Sequence, residues 1–413
     1  MNNREAILAR QSVRTRFKNA DMDFMFNWAV GISQVIGLSP SQIFFALKDV
    51  RDGDPVAWRN GLSRQGATLR AQARSLADVG RSVAAGQASL GAAYAFRAAL
   101  QYTRPQSSDF TRWSGFMEQS FQDGCARLGV PLRAVEIPYA KSSLAGYFLE
   151  HDASSRPVVL MIGGGDTFRE DLFYVAGYPG WKRGYNVLMV DLPGQGLMPA
   201  RGLHFQVDMA APIRAALDWL DVRTAVRPEQ IALYGISGGG YFTAQAVVED
   251  PRIKAWVAAT PIIDIAAVFT REFGPALRAP GWALNILMRL VGAFNAGAEI
   301  NLAKYAWQFG TPDFQAAAAG VLTQAKRVDH TRITIPTLLL LSEGEGTELR
   351  RQTLEVHRGL AERGVPVVLQ TFAAVDGADG HCQLNNLRTL HLTVFDWLDR
   401  CFQHDPGDVR LRC

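Results

Sequence analysis

Cysteine is scarce in this chain. The four present in 413 residues (Cys125, Cys382, Cys401 and Cys413) lie far apart. None of the paired spacings of a zinc site occurs, so a disulfide framework and a structural metal are both unexpected. Charge of one sign is also lacking. Lys and Arg number 43 against 39 Asp and Glu, a net +4 with no dense basic run, which argues against nucleic acid or an acidic membrane as partner. Long apolar runs are missing too. The opening stretch MNNREAILARQSVRTRFKN scatters its charges and holds no signal-peptide core. The most apolar later segment, 281–298, carries Arg289 near its middle and is short for a membrane span. It reads as a helix against protein, and a cytoplasmic protein is expected.

What remains is ordinary globular composition, 48% hydrophobic and 20% charged, long enough for several domains or one large one with an insert. Residues 1–130 read as helical throughout. Capping serines open SPSQIFFALKDV, and small and apolar residues recur at spacings of three and four from GDPVAW to a proline stop. After residue 130 the texture changes. AVEIPYA and LAGYFLE alternate around KSS like an antiparallel pair. PVVLMI (157–162), YNVLMVDL (185–192), QIALYGI (230–236), IKAWVAAT (253–260), PTLLLL (336–341) and PVVLQTF (366–372) then read as strands buried on both faces. Helical patterns between them predict a mostly parallel, doubly covered sheet. The domain division expected is a helical 1–130 followed by 131–413. Residues 261–330, with Trp282, Phe294, Tyr305, Trp307 and Phe309, form a helical insert over the sheet's carboxyl edge.

The chemistry centres on LYGISGGGYF, residues 233–242. Gly235-Ile236-Ser237-Gly238-Gly239 fits G-x-S-x-G, and it follows a buried strand and opens a helical run, the context a nucleophilic serine requires. A serine hydroxyl needs a base. In the α/β-hydrolase order the acid follows the serine and the histidine comes last. Of the seven histidines, His357 and His391 fall in helical runs and His404 in the tail. His381 lies in the loop DGADGHCQLNN after the last strand, where a movable base belongs. The acid should follow TLLLL, where Glu343, Glu345 and Glu348 stand. Glu345 has the usual reach, and Asp376 or Asp379 beside His381 are alternatives. An oxyanion hole needs backbone N–H groups from two places: Gly238, and the Gly163-Gly164-Gly165-Asp166 loop after PVVLMI, through Gly165 or Asp166. Asp191 in DLPGQG reads as a turn organiser.

GGGDTFRED, DLPGQG, GISGGGYF, DGADGHC and the helical segment with GDPVAW together resemble one branch of the α/β-hydrolases. It contains 2,6-dihydroxypseudooxynicotine hydrolase and the fungal and bacterial polyketide chain-shortening hydrolases. The resemblance covers roughly residues 20 to 400. It implies an α/β-hydrolase fold with an amino-terminal helical cover, a cofactor-free homodimer, and cleavage of a carbon–carbon bond next to a ketone, or of an ester, in an aromatic or polyketide-like small molecule. Carried across, the triad is Ser237, Glu345 and His381, with glutamate where the branch usually has aspartate. Asp166 matches an acidic loop residue that takes part in the pseudooxynicotine enzyme, where it is glutamate. Burial is expected to raise the Asp166 pKa so that its protonated form can bind or protonate a substrate hydroxyl or ketone, and helix capping is the alternative use of that residue. A plain carboxylesterase or thioesterase, an acyl-transferring cyclase, and a catalytically silent binding protein are the rival readings.

Overall fold

Each buried strand feeds two cores with alternate side chains. In the computed structural model, which describes residues 10–151, 155–223, 225–277 and 296–404, β3 (Arg156–Ile162) turns Val159 and Met161 into one hydrophobic cluster and Val158, Leu160 and Ile162 into another. The same alternation holds in β4 (Asn186–Val190) and β5 (Val226–Ile236). Period-two side-chain direction puts successive residues on opposite faces. A run without polar residues is therefore the pattern of a strand covered twice. Burying each such aliphatic side chain contributes about 1.5–3 kcal/mol.

Eight strands form one sheet in the order β1-β2-β4-β3-β5-β6-β7-β8. β1 (Leu132–Tyr139) and β2 (Ser142–Leu149) pair antiparallel from Leu132↔Leu149 to Tyr139↔Ser142, and β2 pairs antiparallel with β4. From β4 through β3, β5, β6 (Ala255–Ala259), β7 (Thr337–Ser342) and β8 (Val367–Phe372) the strands are parallel. The antiparallel pair and all six apolar runs are strands, as the sequence predicts, but β8 lies at the edge of the sheet and is half exposed rather than buried on both faces. β5 begins four residues before QIALYGI, beside a register shift against β3.

One face of the sheet carries the amino-terminal helices α1 (Ala20–Ile32), α2 (Pro40–Ala46), α3 (Pro55–Asp78), α4 (Ser82–Leu100) and α5 (Ser108–Arg127). Ser39 caps α2 in a reciprocal box with Gln42, and Asp54 caps α3 with Pro55 in its first turn. α4 is almost wholly buried from Leu90 to Leu100. Its alanines and glycines let α3 and α5 pack closely on either side. Between β6 and β7 lie helices Ile265–Leu277, Ala296–Phe309 and Phe314–Gln324. Phe269, Phe314, Ala318 and Val321 give them a small core of their own. Trp282, Arg289 and Phe294 fall outside the described residues. Among the described residues no helix is long and apolar enough to cross a membrane.

Candidate active site

The parallel strands end at one edge, and that edge gathers the chemistry, as open α/β sheets do at their carboxyl ends. β5 turns into helix Gly238–Val247 at Ser237, whose backbone is left-handed (φ 54, ψ −126). For a residue with a Cβ that conformation is strained. It is fixed by the Ser237 N–H bonding to Ala259 O at 3.0 Å and by Ser237 O accepting from Gly240 N at 2.8 Å. The neighbours are small for steric reasons. A Cβ on Gly239 would stand 2.5 Å from Gly163 O and 2.7 Å from Ile162 O, and one on Gly164 would stand 2.7 Å from the Ser237 Cβ.

His381 Nε2 lies 2.8 Å from Ser237 Oγ, and His381 Nδ1 lies 2.9 Å from both carboxylate oxygens of Glu345. A carboxylate at Nδ1 requires the proton there. Nε2 is then left to accept the serine hydroxyl. Burial disfavours the imidazolium, but Cys382 beside it and the Glu345 carboxylate outweigh that, and the His381 pKa stands well above its ordinary 6.5. Burial pushes Glu345 upward, while His381 and a hydrogen bond from Thr260 carry it below the usual carboxylate range. The other carboxylates weighed for this place are engaged elsewhere. Glu343 accepts from Ala374 N, Glu348 pairs with Arg351, and Asp379 binds Ser12 and Val13. Asp376 lies in a short surface turn.

The glycine loop after β3 comes against Ser237 from the other side. A Cβ on Gly238 would lie 3.4 Å from Gly165 N, so these two backbone groups border the same space. Gly238 also opens a helix whose first N–H groups have no intrahelical acceptor. The loop is tied by its carbonyls. Gln195 Nε2 donates to Gly163 O (2.5 Å) and Gly164 O (3.0 Å), and Gln308 Nε2 donates to Gly165 O. Arg97 Nη2 donates to Asp166 O at 2.6 Å. Sequence reasoning missed Gln195, although it stands within the quoted DLPGQG. Its Oε1 also accepts from Leu192 N at 2.8 Å, so this side chain helps to organise the turn together with Asp191.

Asp166 departs from expectation. Burial does push its pKa up, but Arg10, Lys304, Arg97 and His381 together hold it below the usual range, so it is ionised at neutral pH. It does not cap the following helix either. Asp171 Oδ2 accepts from Phe168 N at 2.9 Å, while Asp166 Oδ2 faces Arg10 at 3.5 Å.

Ser237, His381, Gly165, Asp166 and Arg10 line a cavity of about 400 Å³, whose other lining residues are largely aromatic and aliphatic. Tyr305 and Phe309 of the region between β6 and β7 line it, whereas Trp307 packs on Phe110.

Residues 51–300 match the FrsA-like esterases. The chain belongs to that family. It is 26% identical over 419 residues to the 20-hydroxy-prefusarin hydrolase FUS2 of Gibberella moniliformis, covering 94% of this chain and 97% of that one. It is 28% identical over 320 residues to the hydrolyase poxO of Penicillium oxalicum, covering 71% and 75%. The solved structure of 2,6-dihydroxy-pseudo-oxynicotine hydrolase superposes with a TM-score of 0.67 at 19% identity, over 89% of this chain and 94% of that one. AbyA5 does so with a TM-score of 0.61 at 16% identity, over 86% and 92%. The fold is that of the α/β-hydrolases, with a helical region before the sheet, and the FrsA-like chain is an enzyme.

Proposed function

We propose that this FrsA-like chain is a serine hydrolase that forms an acyl-enzyme on Ser237 and cleaves a polyketide-like or aromatic small molecule next to a ketone, or at an ester. The observation that carries this is the continuous hydrogen-bonded line Ser237–His381–Glu345 at the wall of the cavity. The names of FUS2 and poxO support a hydrolytic reaction and the prefusarin substrate of FUS2 supports the compound class.

In the proposed reaction His381 takes the hydroxyl proton as Ser237 Oγ bonds to the carbonyl carbon. Glu345 holds the imidazolium that results, and the N–H groups of Gly238 and Gly165 face the oxyanion. Collapse breaks the bond to the departing group, and its electron pair leaves with that group. His381 returns the proton to an alkoxide oxygen, or to carbon when the departing group is an enolate. Water then repeats the sequence and releases the acid. The ionised Asp166 is no proton donor in this scheme and serves as a charged wall of the pocket. Residues 1–130 act as the cover that keeps water from the oxyanion site, and 131–413 as the hydrolase part with its insert at 261–330.

A fluorophosphonate probe with intact-mass detection tests the reading. One adduct on the wild type and none on Ser237→Ala is expected. An unlabelled, correctly folded wild type would favour a silent binding protein instead. Comparing aryl esters with aromatic 1,3-diketones then decides between ester and carbon–carbon cleavage.

A further inference from the structure

Gly163, Gly164 and Gly165 carry no side chains, and glycine is the residue least restricted by its own backbone. Nothing local to the loop therefore fixes where its N–H groups point. An oxyanion donor, however, has to be aimed before the reaction begins. The aim comes from the carbonyls. A planar trans peptide directs its C=O and its N–H opposite ways, so a donor that grips one carbonyl sets the N–H of the next residue.

Four successive carbonyls of the loop are gripped. Gly163 O accepts from Gln195 Nε2 at 2.5 Å. Gly164 O accepts from the same nitrogen at 3.0 Å and from Thr167 Oγ1 at 3.1 Å. Gly165 O accepts from Gln308 Nε2, and Asp166 O from Arg97 Nη2. The Gly164–Gly165 peptide is the one that lies against the nucleophile turn. A Cβ on Gly238 would stand 3.4 Å from Gly165 N, and one on Gly164 would stand 3.1 Å from Ser237 Oγ. With its oxygen held by Gln195 and Thr167, this peptide turns the Gly165 N–H away from them, into the space shared with Gly238.

Gln195 is well suited to this grip. It is fully buried, and the direction of its amide is set by its partners. Oε1 accepts from Leu192 N at 2.8 Å, a group that can only donate. The two hydrogens on Nε2 are left for Gly163 O and Gly164 O, one each. The backbone ties the same two loops together. Gln195 N donates to Leu192 O at 2.9 Å and Gly196 N donates to Thr167 O at 3.3 Å.

We infer that Gln195 is a positioning residue of the oxyanion site. Seconded by Thr167, its amide holds the Gly164–Gly165 peptide so that the Gly165 N–H faces the oxygen that turns negative when Ser237 attacks. It touches no reacting atom and acts through the loop. The inference deepens the serine-hydrolase reading and rests on it.

A pair of aryl ketones tests the grip. With 2,2,2-trifluoroacetophenone, Ser237 Oγ bonds to the carbonyl carbon, His381 takes the hydroxyl proton and the carbonyl oxygen carries the charge. Inhibition therefore reads the oxyanion site. Acetophenone, whose carbonyl is far less electrophilic, reads the unreacted ligand. Losing an oxyanion donor outright costs about 10²–10³ in kcat, and loosening its aim should cost part of that, about tenfold or more. Gln195→Met should weaken trifluoroacetophenone inhibition and lower kcat on 2-naphthyl acetate by that factor. KM and acetophenone affinity should move by less than about threefold, since the loss falls on the transition state alone. A glutamine that only stabilises the fold would shift the melting temperature without producing this split. Thr167→Val removes the second grip on Gly164 O without touching the turn at 191–196. It should show the same split to a smaller degree, with Thr167→Ser close to wild type, and it decides the matter if Gln195→Met does not fold. Unchanged trifluoroacetophenone inhibition in the variant tested, or a parallel loss for both ketones, overturns the inference. A wild type that trifluoroacetophenone does not inhibit and a fluorophosphonate does not label would sink the nucleophile reading and the grip with it. That result is distinct from an inhibited wild type matched by Gln195→Met.

Discussion

Thr260 Oγ1 donates to Glu345 Oε1 at 2.7 Å from a residue that is fully buried and left-handed, with φ 67. β6 ends one residue earlier, so the strand beside β5 supplies the group that pins the acid. Glu345 is thereby held on two sides, by Thr260 and by His381. Thr260→Val keeps the shape and removes the donor. A hydrogen bond to a charged group contributes about 1.5–3 kcal/mol, so kcat should fall by about tenfold or more with KM little changed. Thr260→Ser should recover most of it. A serine variant as slow as valine would show that the methyl packing matters and the hydroxyl does not.

The pH dependence follows from the His381 environment. Its pKa is raised above 6.5, chiefly against burial, by Cys382 and Glu345. The base must be neutral to take the Ser237 proton. As pH falls through the raised value the imidazole is held protonated and kcat/KM is lost, and as pH rises through it activity appears. The acid limb of the profile should therefore have its midpoint above 6.5. Glu345→Gln removes a nearby opposite charge, worth about one to three units, and should move that midpoint down while lowering the plateau. A midpoint that stays fixed in the glutamine variant would place the titration on another group.

Much of this is legible in the sequence alone. The strands were readable because a doubly covered strand needs apolar side chains in both directions, as Val158 and Val159 show. Ser237 and His381 were readable because a strained turn between strand and helix, and a loop after the last strand, leave local marks in glycine and chain order. Arg10, Thr260 and Gln195 were not. Each acts on a partner 31 or more positions away, as in Gln195 with Gly164 and Thr260 with Glu345, and a lone polar residue carries no sign of such a partner. Asp166 departs from expectation for a related reason. Burial alone argued for a protonated acid, and the cations that reverse it come from the segment before α1, α4 and helix Ala296–Phe309.

Two glycines of the site should respond oppositely to alanine. At Gly239 the added Cβ would meet two backbone carbonyls at 2.5 and 2.7 Å, which cannot swing aside. Overpacking of that kind costs about 1–3 kcal/mol, and the denaturant midpoint should drop accordingly. At Gly165 a Cβ would meet nothing within 4 Å, so Gly165→Ala should stay within about 0.5 kcal/mol of wild type. Its effect should fall on the substrate, since the methyl would project beside the cavity. Equal stability losses at both positions would mean that the loop is set differently against the nucleophile turn.

Asp166→Asn separates the two uses of that residue. As a proton donor it would have to be neutral in the resting enzyme, and the cations around it oppose that. As a charged wall it faces Arg10 at 3.5 Å. Asparagine keeps the shape and removes the charge. A partly exposed ion pair contributes up to about 1 kcal/mol, so the stability of the variant should stay within about that amount of wild type. Rates on an aromatic 1,3-diketone and on a small activated ester should change in the same proportion, to within about threefold, because neither step draws a proton from Asp166. General acids supply about 10²–10⁴ in rate. A fall of tenfold or more confined to the diketone, with the ester spared, would make Asp166 the acid after all.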